Sequence, residues 1–425
     1  MHNIKYHRIG FAWALSELYQ NSTNIVQSLE LIEKTRNLEM NQKYESDLSL
    51  NNFSDIFIEF QKQWRDKINP GDIIVVSVYI VGKRDQDSHL LLNYNITLSS
   101  KIEIELIESS IPNFYPHLDD LQKSEANSDK NRQFADDKLF PSSHPLKQLD
   151  HVDHLIIVPH GELMNIPWEV LEISKKGDYN SLSDLVPVTR GLSITSYLGG
   201  LKGLNPSRFD TIKRALLFGN LNHGIELQES EKEIKYARKI IEPHFSSIQL
   251  LTDSKAPKET ILSILTKDQH SLVHFAGHIE FPQGITSSPE FAFEHKMLTS
   301  NQTELSVRDL LTSSIQFTSP SFGILSACNA GNTNVVSNLE SISLPYSFLS
   351  KGMTSIISTL YGVDDKMAKK IVSLFYNEWL MMDSASALQS TRKLIRQIYD
   401  WGVYHLDISA FFHVGPPIKF KWWFN

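Results

Sequence analysis

Apolar residues recur at three- and four-residue spacing in Phe11 to Tyr19, Ile25 to Leu38 and Phe53 to Trp64, which predicts three helices. No period repeats beyond them, so residues 1–65 read as a short helical N-terminal segment rather than a repeat array. That segment is expected to cap the region behind it or to dock a partner. Asn69-Pro70-Gly71-Asp72 is a turn signal, and the β-branched run Ile73 to Val81 follows it. Leu90 to Leu98 and Lys101 to Leu106 alternate or run apolar, which predicts a small sheet. Residues 119–146 are polar with few apolar anchors, and a long surface loop or disordered insertion is expected there. Leu155 to Val158 reads as a buried strand, and Asn165 to Trp168 opens a helix or turn.

From Arg214 the pattern changes to short apolar runs separated by amphipathic stretches. Strands are predicted at Ala215 to Phe218, Ile248 to Leu251, Leu272 to Ala276, Phe322 to Ala327 and Ser355 to Leu360. Helices are predicted at Leu227 to Ile241, Lys258 to Leu265, Ile342 to Leu349, Lys366 to Met381 and Ala385 to Tyr399. Glu229, Glu231 and Glu233 stand near the start of the first of these, where the helix dipole favours negative charge. Strands alternating with helices imply an α/β fold built on a mostly parallel sheet with helices on both faces.

Composition narrows the function. Hydrophobic residues make up 41% and charged residues 21%, an ordinary globular balance. With 41 basic and 49 acidic residues the net charge is −8, so no pull toward nucleic acid or anionic membrane is expected. No opening run resembles a signal peptide, and no stretch reaches the roughly 20 apolar residues of a membrane span. The single cysteine excludes an internal disulfide framework and fits a reducing compartment. A cytoplasmic location is expected.

That cysteine carries the candidate chemistry. Two apolar strands each end in a group able to take part in covalent catalysis, Ser271-Leu272-Val273-His274-Phe275-Ala276-Gly277-His278 and Phe322-Gly323-Ile324-Leu325-Ser326-Ala327-Cys328. In an open parallel sheet, reacting groups collect at the carboxyl ends of adjacent strands. An imidazole beside a thiol favours the nucleophilic thiolate, so His278 and Cys328 read as a dyad. His274 and His278 are four apart, but Phe275 follows the first, where a zinc motif on a helix needs glutamate. No metal and no cofactor are expected, and His274 reads as a buried, hydrogen-bonded histidine supporting its strand. Ser326 lies outside any Gly-X-Ser-X-Gly elbow, which argues against a serine hydrolase.

The His274-to-His278 run and Leu325-Ser326-Ala327-Cys328-Asn329-Ala330-Gly331 resemble the two signature segments of the CHAT family, whose members are caspase-like and separase-like peptidases. Further blocks flank them in matching order. Leu155 to Gly161 with Ile166 to Leu171 resembles the upstream block, Lys351 to Asp365 the segment after the cysteine, and Ile408 to Gly415 the closing strand. Ile279 stands where relatives usually carry Gly, and Tyr361 where Trp is common.

The resemblance implies a caspase-like mostly parallel sheet flanked by helices, preceded by a pseudo-caspase α/β subdomain and the short helical N-terminus. The implied boundaries are 1–65 for the helical segment, 66–205 for the non-catalytic subdomain including the 119–146 loop, and 206–425 for the catalytic domain. It further implies a cysteine endopeptidase, latent until activated, in a bacterial signalling or defence pathway. His278 would deprotonate Cys328 for attack on a peptide carbonyl, with backbone N–H groups of Gly277, Ile279 and Cys328 holding the oxyanion. His160-Gly161, at a strand end of the first subdomain, reads as structural.

Asp364 and Asp365 are candidate substrate-binding carboxylates favouring Arg or Lys. They are equally suited to cap the helix that follows. The expected partners are a protein substrate and an activating protein or ligand, with no nucleic acid and no membrane. A catalytically silent scaffold that binds proteins is the other reading. The intact His278/Cys328 pair favours the peptidase, and Ile279 favours the scaffold. The Asn-, Ser- and Thr-rich stretch Asn329 to Ser343 is expected to be mobile.

Overall fold

The computed structural model describes residues 25, 29, 33, 53–68, 71–81, 88–99, 101–112, 114, 118, 121, 129–148, 151–175, 178–204, 213–219, 228–252, 255–280, 293–317, 320–337, 340–398 and 407–420. Its contacts group the chain into two compact units, residues 1–202 with 335–341, and residues 203–334 with 342–425. The helices expected at Phe11 to Tyr19 and over most of Ile25 to Leu38 lie outside the described residues.

In the first unit the third predicted helix is present as α1 (Phe53–Lys67), burying Phe57, Phe60 and Trp64 on one face. That is the three- and four-residue spacing of an amphipathic helix. Behind it come β1 (Ile73–Val81), β2 (Ser88–Leu98) and β3 (Ile102–Pro112), paired antiparallel in sequence order. β4 (His154–Pro159) joins β1 in parallel, with Ile73 opposite His154, and β5 (Val188–Arg190) joins β4 in parallel. The strand order in this unit is therefore β3-β2-β1-β4-β5. β1 and β4 are buried on both faces, which is why they read as unbroken apolar runs.

The stretch expected as a surface loop differs from that expectation. Residues 129–148 hold the helix Asp129–Phe134, a π-turn Ala135–Leu139 and the helical turn Pro145–Gln148. Phe134, Ala135, Leu139, Phe140 and Leu146 sit in the core with Ile157 and Trp168. The i→i+5 bond from Phe140 N–H to Ala135 O widens this turn and breaks the three-and-four spacing, so the anchors do not show as a periodic stripe. Nearby, Arg190 and Glu169 form a wholly buried, bidentate ion pair, with the Arg190 Nε–H donating at 2.9 Å.

The second unit carries the sheet on which the candidate chemistry stands. Its strands are β6 (Arg214–Gly219), β7 (Ser247–Thr252), β8 (Leu272–Ala276), β9 (Phe322–Ser326), β10 (Ser355–Thr359) and β11 (Phe411–Val414). They run in the order β11-β10-β9-β8-β6-β7. All neighbours are parallel except β10 and β11, which pair antiparallel. The helices are α2 (Gln228–Ile241), α3 (Lys258–Lys267), α4 (Leu344–Ser350), α5 (Asp365–Trp379) and α6 (Ser384–Ile398). Phe322 of β9 packs against Phe375 and Trp379 of α5, with ring centroids 6.1 and 4.5 Å away. This is the mostly parallel, helix-flanked sheet that the alternating pattern implies.

The segment after Cys328, expected to be mobile, holds two strands, Asn334–Ser337 and Glu340–Ile342, hydrogen-bonded to each other. Among the described residues, no helix is long and apolar enough to cross a membrane.

Candidate active site

β8 and β9 lie side by side with Ala276 opposite Ser326 as the last pair in register. His278 and Cys328 each stand two residues beyond that pair, so they leave adjacent strands, about 4.8 Å apart, at the same level. Both residues are half-buried. The spacing in sequence thus becomes juxtaposition of the two loops at the carboxyl edge of the sheet.

The sulfur, however, is turned aside. Cys328 Sγ accepts the Val363 N–H at 3.4 Å and lies 3.7 Å from the Val363 carbonyl oxygen. No hydrogen bond joins it to His278 among the described residues. The assembled dyad expected from the sequence is therefore absent from this arrangement, which matches the non-catalytic alternative more closely as it stands.

The loop that carries the cysteine is stitched to the end of β10. Asn329 N–H donates to Tyr361 O (3.3 Å) and Gly331 N–H to Thr359 O (2.7 Å). The Thr359 hydroxyl donates to Ala327 O and accepts from Ala330 N–H (3.4 Å). Asn329 has φ +59°, a left-handed conformation that Asn tolerates better than most residues. At Gly331 a Cβ would come within 2.3 Å of the Phe412 ring, so only glycine fits.

The histidine loop is braced from the other side. His278 O accepts the Leu298 N–H (3.0 Å), tying it to a three-stranded sheet of Ile279–Glu280, Lys296–Leu298 and Glu304–Ser306. At the edge of that sheet lies His295, fully buried, with its imidazole under the electrostatic influence of the Asn329 backbone. Burial drives its pKa down to about 3, with the Asn329 backbone pulling the other way. His295 thus stands on the histidine side close to the cysteine turn, and nothing in its sequence context marks it.

The expected oxyanion donors separate into two kinds. The Gly277 N–H donates to Ser326 O at 3.2 Å, which corrects its assignment: it belongs to the sheet. Ile279 pairs with Met297 in a register where the flanking residues exchange the bonds, so its N–H points away from that partner strand.

Asp364 is the N-cap of α5, its side chain accepting the Met367 N–H at 3.1 Å, and its own N–H donates to Asp407 (2.8 Å). Capping, rather than substrate contact, accounts for Asp364. Asp365 accepts the Glu229 N–H (3.3 Å) and interacts electrostatically with His278. Burial raises its pKa, with the Glu229 N–H pulling the other way.

Beneath both loops sits Glu233, which the sequence reading credits only to the helix dipole. It is buried on α2 along with Ser230, Ile234, Ala237 and Ile241. A carboxylate on that apolar stripe is the signal that marks it. His274 is the buried, bonded histidine expected: its Nε2 lies 2.8 Å from Glu233 and its Nδ1 3.1 Å from the Tyr376 hydroxyl. Burial raises the pKa of Glu233, and its hydrogen bond with His274 opposes that. In the first unit, His160 directly follows β4 and its ring lies tilted against that of Tyr79, 5.3 Å between centroids. Among the described residues, no group of three His, Cys, Asp or Glu side chains is placed to hold a metal ion.

Among solved structures, the chain is similar to the separase of the Saccharomyces cerevisiae separase–securin complex, at 15% identity and TM-score 0.44. The match covers 92% of this chain and 24% of that one. It is also similar to the Arg-specific cysteine proteinase gingipain R (RgpB), at 10% identity and TM-score 0.44, over 72% of this chain and 74% of that chain. A complex of Porphyromonas gingivalis RgpB pro- and mature domains matches at 9% identity and TM-score 0.42, over 72% and 77%. No curated protein matches the chain. The model of the CHAT domain matches residues 137–416, well over half of the chain and inclusive of both strand-end loops, and the chain belongs to the CHAT family.

Proposed function

We propose that this chain is a cysteine endopeptidase of the caspase-like type whose dyad is unassembled at rest. The supporting observation is the common level of His278 and Cys328 beyond the Ala276–Ser326 pair, on neighbouring parallel strands. Rotation of Cys328 about its Cα–Cβ bond away from Val363 is a side-chain motion and requires no change in the sheet. Catalytic hydrogen bonds are commonly long or unmade before substrate arrives. Once the thiol is brought to the imidazole, His278 takes its proton and the thiolate attacks the substrate carbonyl. The N–H groups of Ile279 and Cys328 hold the oxyanion, His278 protonates the leaving amine, and water hydrolyses the thioester. Asp365, which interacts electrostatically with His278, favours a basic substrate side chain through a charge-assisted bond once ionised. A protein substrate and an activating protein or ligand are the partners this implies, and a signalling or defence role in bacteria rests on the family resemblance.

The second reading, a silent scaffold that binds proteins, is favoured by the Val363–sulfur bond. A peptidyl thiol-reactive probe separates the two. For the peptidase, labelling of Cys328 is fast in the wild type, slowed by orders of magnitude in His278→Ala, and lost in Cys328→Ala. Equal labelling of the wild type and His278→Ala establishes the scaffold.

A further inference from the structure

We infer that Glu233 is a positioning residue which yokes the two catalytic strands, an inference that rests on the peptidase reading for its functional half. Both oxygens of this one buried carboxylate are in use. Oε1 meets His274 Nε2 at 2.8 Å, and Oε2 accepts the Ser326 hydroxyl at 3.2 Å. His274 is four residues before His278 on β8, and Ser326 is two before Cys328 on β9. A single side chain from α2 therefore ties together the two strands whose ends must meet.

The tie is sealed from water. His274 is 0% and Glu233 2% exposed, so neither bond can be exchanged for one to solvent without opening the core. Tyr376, from α5, closes the far side by bonding His274 Nδ1 at 3.1 Å. Three elements thus converge on the imidazole: β8, α2 and α5. Backbone pairing between β8 and β9 ends at Ala276 and Ser326, and the Gly277 N–H to Ser326 O bond is one step further. Past that point no backbone bond between the two strands is described, each loop being bonded to other elements, and Glu233 is a side chain that reaches both strands.

The chemistry predicts how substitutions separate. In Glu233→Gln, the amide oxygen accepts from Ser326 and the amide NH2 donates to His274 Nε2. The imidazole then carries its proton on Nδ1 and donates to the Tyr376 oxygen, so every bond is remade without the charge. In Glu233→Ala both arms are lost. In Ser326→Ala only the arm to the cysteine strand is lost.

Hydrogen–deuterium exchange on the full chain reads the yoke without any appeal to activity. Exchange should rise over both 275–278 and 327–331 in Glu233→Ala, over 327–331 alone in Ser326→Ala, and over neither in Glu233→Gln. Probe labelling of Cys328 should fall on the order of a hundredfold in Glu233→Ala, as for a reacting group misplaced by about 1 Å, and return close to wild type in Glu233→Gln. Unchanged exchange at both loops in Glu233→Ala overturns the inference, as does Glu233→Gln behaving like Glu233→Ala. If Glu233→Ala fails to fold, Ser326→Ala carries the test, and exchange that does not rise over 327–331 overturns it. A wild type that the probe does not label disposes of the peptidase reading, while the exchange arms still decide whether the yoke exists.

Discussion

Val363 holds the sulfur of Cys328 with a backbone N–H, and the residue next along, Asn329, sits in the left-handed region with φ +59°. The two facts belong to one tight turn whose shape decides where the thiol points. Asn329→Gly should fold at least as well as the wild type, because glycine adopts this conformation freely. Asn329→Val should lose about 1–2 kcal/mol, the cost of forcing a β-branched L-residue there. Urea denaturation measures both, and equal stability of the two variants would show that the turn is not strained. The cysteine and the histidine were legible as residues because each ends an apolar run. The direction of the sulfur was not, since a side-chain rotamer depends on what lies opposite, and Val363 lies 35 residues further along the chain.

Elements show the same division. β8, β9 and β10 were readable because strands covered on both faces carry unbroken apolar runs. The helix-and-π-turn stretch at 129–139 was not, because its anchors Phe134, Ala135, Leu139 and Phe140 depart from helical spacing. α5 shows two readings of one sequence feature, since both of its opening aspartates suit either capping or substrate contact. The structure gives the cap to Asp364. Asp364→Ala should therefore cost about 1 kcal/mol of stability, as loss of an N-cap does, and leave cleavage-site preference alone. Asp365→Asn should do the reverse, weakening any preference for Arg or Lys in a peptide library. A preference that follows Asp364 instead would reassign the pair.

For the whole molecule, acid should be the sensitive direction. His144, His154 and His295 are buried, and burial holds each at about 3 against an ordinary 6.5; His270 is lowered for the same cause. In the window between those values the unfolded chain binds protons that the folded chain refuses. Their contribution is complete above pH 6.5 and is lost as pH falls toward 3. Glu233, Asp365 and Asp407 are raised by burial and act with the opposite sign, so the pH profile reads the difference between the two sets. Thermal midpoints should fall steadily from pH 7 to pH 5, and a flat profile would mean that these histidines are protonated in place. None of this is visible in the sequence, where the buried and exposed histidines look alike.

The antiparallel pairing of β10 with β11 also has a consequence for biosynthesis. Phe411–Val414 is the last strand described, and it joins a sheet whose neighbouring strand β10 is made more than 50 residues earlier. While a ribosome is still translating the helices between them, β10 has no strand on that side and offers an open row of N–H and C=O groups. During that interval a nascent chain can carry both its histidine and its cysteine and still lack a finished sheet to hold them. The order of the strands along the chain thus makes completion of this side of the sheet wait until the two helices between β10 and β11 have been made.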